Sequence, residues 1–220
     1  MSFLELLQKS LPSLISGLGV TIKIAFFAII LAIVLGLIFG LMSISKFKIL
    51  KAISTIYVYI VRGTPLMIQA MFVYFGLGQA LGVRFDPVLA GIVILGINAG
   101  AYLSEIFRSG IEAVDKGQLE AARSLGLSQV MAMKKVILPQ AIKIMIPSLM
   151  NQFIIAIKDT SILSVISIRE LMQSGQIIVG TTYKAFEIYG VVAMMYLVLI
   201  TILTLLSKAV ERRLASWLLR

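Results

Sequence analysis

The 220-residue chain contains no cysteine and no histidine. Those two absences remove disulfides, thiol nucleophiles, Cys/His zinc sites and imidazole proton relays. Charge is scarce as well: 14% of residues are Asp, Glu, Lys or Arg, against about 25% in a typical soluble domain. No Gly-x-x-x-x-Gly-Lys-Ser/Thr stretch occurs, so the chain has no recognisable cradle for nucleotide phosphates. If ATP energises it, a partner performs the hydrolysis. What remains is apolar: 60% hydrophobic residues and a mean hydropathy of +1.03. These values describe an integral membrane protein, and the pattern of its spans makes it all-α. The formal net charge of +10 then concerns placement relative to a bilayer, not nucleic acid.

Residues 1–19 mix Phe3, Leu4, Leu6, Leu7, Leu11 and Leu14 with Glu5, Gln8, Lys9 and Ser10, which suits a short interfacial helix. A cleaved signal peptide is not expected, because the earliest charge is acidic and the following apolar segment is too long. Residues 24–45 are uncharged and long enough to span, since about 20 apolar residues suffice. Gly36 and Gly40 within them are either a close helix contact or incidental glycines. Lys46, Lys48 and Lys51 form a basic hinge. The next apolar region, 52–83, is interrupted by Arg62-Gly63-Thr64-Pro65, where a kink is expected. Residues 87–104, 144–168 and 188–207 supply three more spans. The expectation is five transmembrane helices in a single domain, residues 1–220, with a polar loop over 109–141. Only helices satisfy the backbone here, because no alternating barrel pattern is visible.

Basic residues orient the bundle. One side collects Lys46, Lys48, Lys51, Arg108, Lys116, Arg123, Lys134, Lys135, Lys143, Lys208, Arg212, Arg213 and Arg220; the other has Lys9, Arg84, Arg169 and Lys184. The richer side is expected in the cytoplasm, with the N-terminus outside and the C-terminus inside.

The loop itself carries a pattern. Gln118 to Leu125 are mostly good helix formers, and Gly126 is placed to end a helix with positive φ. Leu119, Ala122 and Leu125/Gly126 recur as a narrow apolar face, kept thin by Ala121 and Ala122. Ser128 is positioned to cap a second helix, which Pro139 would stop or kink. The face fits either a membrane surface or the close approach of another protein's backbone.

Lys158-Asp159 lie deep within an apolar run, where ionisable groups are costly. Neighbouring helix residues diverge by about 100°, so two readings stand: a local ion pair, or Asp159 facing a cavity and a cationic solute. Thr160, Ser161 and Ser164 make a polar wall credible. Gln69, Asn98, Asn151 and Gln152 either bond neighbouring helices or read the ends of a small zwitterion. The candidate solute path is therefore Gln69, Asn98, Gln152, Asp159 and Ser161. Met67, Met71, Met131 and Met133 are read as packing.

Glu120-Ala-Ala, then Gly126, then Ile137-Leu-Pro139 resembles the cytoplasmic "EAA loop" of permease subunits of ATP-binding-cassette importers. Arg62-Gly-Thr-Pro-Leu-Met-Ile-Gln69, Asn98-x-x-Ala-Tyr-x-x-Glu105-Ile-x-Arg108 and Lys158-Asp-Thr-Ser-Ile162 are similar to the polar amino-acid branch, the His/Glu/Gln/Arg permeases. The resemblance covers roughly residues 16–215; Met131-Ala-Met133-Lys-Lys departs from the family's aromatic and arginine-rich pattern. It implies a type I importer permease fold whose loop is a coupling helix, with Gly117, Glu120, Ala121, Ala122, Arg123, Ser124, Leu125 and Gly126 meeting the ATPase. It also implies a permease dimer (two identical copies favoured), two ATPase subunits and an extracellular solute-binding protein. ATP and Mg would sit on the ATPase, with no cofactor or metal in this chain, in a prokaryotic plasma (inner) membrane. A buried Asp159 favours arginine, lysine or histidine, then glutamine, with glutamate last. The alternative is an ion-coupled secondary transporter using Lys158/Asp159, although no internal repeat supports it; a scaffold or channel subunit is the third reading.

Overall fold

The structure, a computed structural model, describes residues 2–217. Met1 and the basic residue Arg220 lie outside the described residues. Helix α1 runs Phe3–Ser43, 41 residues without a break. Ser2 and Glu5 cap its start reciprocally. The interfacial segment expected over residues 1–19 is thus not a separate element. Two of its apolar residues, Leu6 and Leu14, are buried with Leu171, Ile188 and Val192, whereas Phe3, Leu4 and Leu11 stay exposed. A helix of this length extends about 60 Å, well past the ~30 Å hydrocarbon core of a bilayer.

The short broken span comes next. α2, Lys48–Arg62, is followed by α3, Leu66–Met71, a widened π turn, Phe72–Leu77, and α4, Gly78–Leu81. The two halves meet at 100°. The kink expected at Pro65 is therefore a full break, with Pro65 starting α3 in an extended conformation.

α5, Pro87–Glu112, is the central helix; Asp86 caps it and Pro87 occupies its first turn. It lies along α1 through small residues. A Cβ added at Gly36 would stand 2.6 Å from the Leu103 Cβ, and one at Gly40 3.0 Å from the Phe107 Cβ. The glycine pair is accordingly a close helix contact. In lipid such contacts matter because helix association rests on van der Waals packing, apolar burial being equally available in the tails. Ala32, Ala99, Leu103 and Ala156 continue the same tight layer toward α8.

α6, Lys116–Ser124, leads to α7, Gln129–Ala132, a π turn, Met133–Ile137, and α8, Leu138–Asp159, which tightens into a 3-10 turn, Thr160–Ile166. Together Gln129–Ile166 form one 38-residue helical segment. Pro139 neither stops nor kinks it as expected. In a regular helix its ring would press on the carbonyl one turn back. The wider turn before it absorbs that conflict, and the Gln140 side chain donates to the Val136 carbonyl at 2.9 Å. α9, Leu171–Thr182, and α10, Ala185–Trp217, complete the chain. Among the described residues four helical segments are long and apolar enough to cross a membrane, and the broken pair α2–α4 makes the fifth.

Candidate functional site

The exposed end of the molecule is built around α6. Asp115 caps it, its carboxylate accepting from the Gly117 amide at 2.7 Å. Its other end is a Schellman turn: the Leu127 amide donates to the Ala122 carbonyl at 3.2 Å and the Gly126 amide to the Arg123 carbonyl at 3.0 Å. Gly126 takes φ +84, the left-handed value its position requires. Ser128 then caps α7, accepting from the Met131 amide at 3.3 Å. The Gly126 and Ser128 ends were legible in the sequence; the Asp115 cap was not read there.

The facing of α6 corrects the expected apolar stripe. Leu119 packs inward on Val114, Ile137, Ala141 and Met145, and Ala122 is buried. Ala122 therefore faces its own chain and cannot present its methyl to a partner. Leu125 points the opposite way and is 84% exposed, close in sequence to Val130 at 78%. Gly117, Glu120, Ala121, Arg123, Ser124 and Gly126 are exposed as expected.

A second set of groups sits at the broken span. Gln69 Nε2 donates to the Val61 carbonyl (2.7 Å), the Thr64 carbonyl (3.0 Å) and Thr64 Oγ1 (2.8 Å). Its Oε1 accepts from Asn98 Nδ2 at 3.0 Å. These two amides, expected on the solute path, are committed instead to bridging the break and fastening it to α5. Breaking a helix frees carbonyls that lipid cannot satisfy, and the nearest amides serve them. Gln152 also departs from expectation. It is buried on the face of α8 that carries Met145 and Ala156, turned into the protomer.

Asp159 and Ser161 stand where α8 tightens. Asp159 is half-buried; Thr160 Oγ1 donates to the Ile157 carbonyl (2.7 Å) and Ser161 Oγ to the Lys158 carbonyl (2.8 Å). Among the described residues Lys158 and Asp159 do not form an ion pair. Of the two, it is Lys158 that joins Ser161 and Tyr196 in lining a cavity of about 410 Å³ against α10.

Two polar constellations were not read from the sequence. Glu170, fully buried, caps α9 through the Met172 and Gln173 amides (2.9 and 2.7 Å) and accepts from Thr21 Oγ1 (3.4 Å) and the Tyr196 hydroxyl (2.9 Å). It joins α1, α9 and α10. The only local signal was an acidic residue ahead of a helix-forming run. The other is a charged chain. Arg108 forks onto Glu105 at 3.1 and 2.9 Å and also meets Glu112. Arg62 stands 3.8 Å from Glu105, its guanidinium 5.0 Å from the centre of the Tyr102 ring.

Comparison with known proteins adds five findings. A family model described as "binding-protein-dependent transport system inner membrane component" matches residues 32–216. The arginine transport system permease protein ArtQ of Bacillus subtilis is 41% identical over 94% of both chains. The glutamine transport system permease protein GlnP of Escherichia coli K12 is 38% identical over 93% of this chain and 94% of its own. Among solved structures, a crystal structure titled as an amino acid ABC transporter with histidines matches with a TM-score of 0.91 and 42% identity, covering 97% of this chain and 99% of the other. The MetNI methionine transporter in an inward-facing form shares the fold alone, with a TM-score of 0.79 at 19% identity.

Proposed function

The chain belongs to the inner-membrane components of binding-protein-dependent transport systems, and on that premise we propose how it works as the permease subunit of a polar amino-acid importer. Its relatives named for arginine and glutamine transport support that substrate class. Membership in the family leaves the ion-coupled alternative without support.

Two identical copies face each other across the solute path, which runs beside the half-buried Asp159, Ser161 and the adjoining cavity. Each copy docks through α6 on one of two ATPase subunits, where ATP and Mg²⁺ bind, and this chain needs no cofactor. An extracellular solute-binding protein delivers the amino acid. The N-terminus lies outside and the C-terminus in the cytoplasm of a prokaryotic cell.

The observation that carries this reading is mechanical. α6 projects a rigidly capped, exposed surface, and after one short turn the chain enters the single helical segment Gln129–Ile166. That segment carries Asp159 and Ser161. A displacement imposed on α6 by nucleotide therefore reaches the solute path through a continuous helix, with the widened turn Met133–Ile137 as its compliant point.

Asp159 offers a carboxylate in low dielectric, which favours a cationic amino acid and disfavours an anionic one. The expected order is arginine, lysine or histidine, then glutamine, then glutamate. The test is ATP-driven uptake by the purified permease–ATPase complex in proteoliposomes. Asp159→Asn should lower the kcat/KM for arginine about tenfold, equivalent to ~1.4 kcal/mol, with assembly and ATPase rate retained. Unchanged arginine preference in an intact complex would defeat the role of Asp159. A working complex holding one permease chain, weighed by native mass spectrometry, would defeat the dimer.

A further inference from the structure

The charged chain on α5 borders a cavity that the solute path just described does not use. About 360 Å³ in volume, it lies between α2 and the last turns of α5, lined by Lys51, Ser54, Tyr59, Glu105, Arg108 and Glu112 among others. That volume falls within the roughly 300–1,000 Å³ of small-molecule sites. Its position is informative. Glu105 and Arg108 belong to a membrane-crossing helix, and ionisable groups on such helices face the bundle interior or water. Exposure of the side chains rises along the helix, from 30% at Glu105 to 55% at Glu112, so the cavity opens toward the end that carries α6. Only Ala113–Asp115 separate α5 from α6. A neighbouring groove of about 610 Å³ shares Ser43, Lys51 and Glu112 with it and reaches Leu119 on α6 itself.

The charges in the cavity are mixed: Lys51 and Arg108 against Glu105 and Glu112. Arg108 is already engaged by both carboxylates. Lys51, among the described residues, enters no ion pair, and its ammonium remains available. Glu105 is held by Arg62 as well as Arg108, whereas Arg108 meets one oxygen of Glu112 and leaves the other to accept. One free cation and one carboxylate with an unused oxygen suit a ligand carrying both signs. A phosphate or a dicarboxylate would set like charge against that open oxygen.

We propose that this cavity is a second amino-acid site at the α6 end of the permease, holding the carboxylate on Lys51 and the ammonium on Glu112. The inference rests on the amino-acid reading above. A zwitterion released toward α6 would dwell there and bear on the start of the coupling element, so accumulated product would slow the transporter.

The test uses the full permease–ATPase complex in phosphatidylcholine vesicles, with solute-loaded binding protein and labelled glutamine inside. ATP added to the medium drives only complexes whose ATPase faces out, so the medium contacts the α6 end. Release of label is measured while unlabelled L-glutamine in the medium is raised, each variant being scaled to its own uninhibited rate. Wild-type should be inhibited. Lys51→Gln, on an exposed helix surface, should raise the half-inhibitory concentration about fivefold, as expected for loss of one exposed charge pair, and Lys51→Arg should restore it. 4-Aminobutanamide, which lacks the carboxylate, should not distinguish the variants. Absence of inhibition in wild-type, or an equal half-inhibitory concentration in Lys51→Gln, overturns the site. So does a Lys51 effect confined to vesicles containing phosphatidylglycerol, which would assign the lysine to a lipid headgroup. No ATP-driven movement of label, with glutamine or with arginine in its place, refutes the transport function and this site's ligand together, whereas normal movement with no Lys51 effect refutes the site alone.

Discussion

Asn98 on α5 donates to Gln69 on α3 at 3.0 Å, across 29 positions of sequence. This one bond fixes the broken span against the central helix at the level where its backbone is least satisfied. Gln69 spends its NH₂ on the carbonyls freed by the break, and Asn98 keeps the amide turned that way. Removing Asn98 loses one bond, whereas removing Gln69 leaves several groups without partners. Asn98→Ala is expected to cost ~1 kcal/mol and Gln69→Leu about 2–3 kcal/mol. Thermal unfolding of the two variants in detergent checks the order.

Two glycines on α1 should respond oppositely to the same change. A methyl at Gly36 meets the Leu103 Cβ at 2.6 Å, while one at Gly19 meets nothing within 4 Å. Gly36→Ala should destabilise by about 1–3 kcal/mol, and Gly19→Ala should stabilise by ~0.5–1 kcal/mol. The pair shares helix and host, so melting temperatures compare directly.

Gly126 has room for a side chain but not the backbone for one: its added Cβ meets nothing within 4 Å, and φ is +84. Val there would cost about 1–2 kcal/mol of left-handed strain and reshape the end of α6. Gly126→Val is expected to reduce uptake per ATP hydrolysed, or assembly, while Gly126→Asn, which tolerates this conformation, keeps both. Full coupling in an assembled Gly126→Val complex would count against the docking role of this turn.

Leu125 is exposed and contributes little to its own chain, whereas Leu119 on the same helix packs inward. Leu125→Ala should leave permease stability within about 0.5 kcal/mol yet weaken ATPase binding by ~1–2 kcal/mol. Leu119→Ala should do the reverse. Titrating ATPase subunit onto each reconstituted variant separates the two effects.

Glu170 sets a pH dependence. Burial pushes its carboxyl above the ordinary value, outweighing the Met172 and Gln173 amides and the Tyr196 and Thr21 hydroxyls that pull it down. The folded protein therefore holds this proton to higher pH than the unfolded chain. The stability it contributes is complete below the unfolded value and is lost as pH rises through the folded one. Melting temperature should decline over that window, and Glu170→Gln should flatten the decline. Tyr196→Phe, which removes one donor, should cost ~1 kcal/mol.

The sequence alone carried what is local or one-dimensional. Long apolar runs marked the spans because a bilayer selects on length and hydropathy, and Ser128 and Gly126 marked helix ends because capping acts within a turn. The Glu120-Ala-Ala pattern located α6. Tertiary structure decided which way each polar group turned. Ala122 and Gln152 face inward because α6 and α8 bury those sides against their own chain, and periodicity fixes a stripe without fixing what covers it. Gln69 and Asn98 joined because a 100° break had to be satisfied nearby. Glu170 meets Thr21 across 149 positions, a separation at which no spacing rule operates: only the packing of α1, α9 and α10 adds the Thr21 and Tyr196 hydroxyls to the two local amides from which its buried carboxylate already accepts.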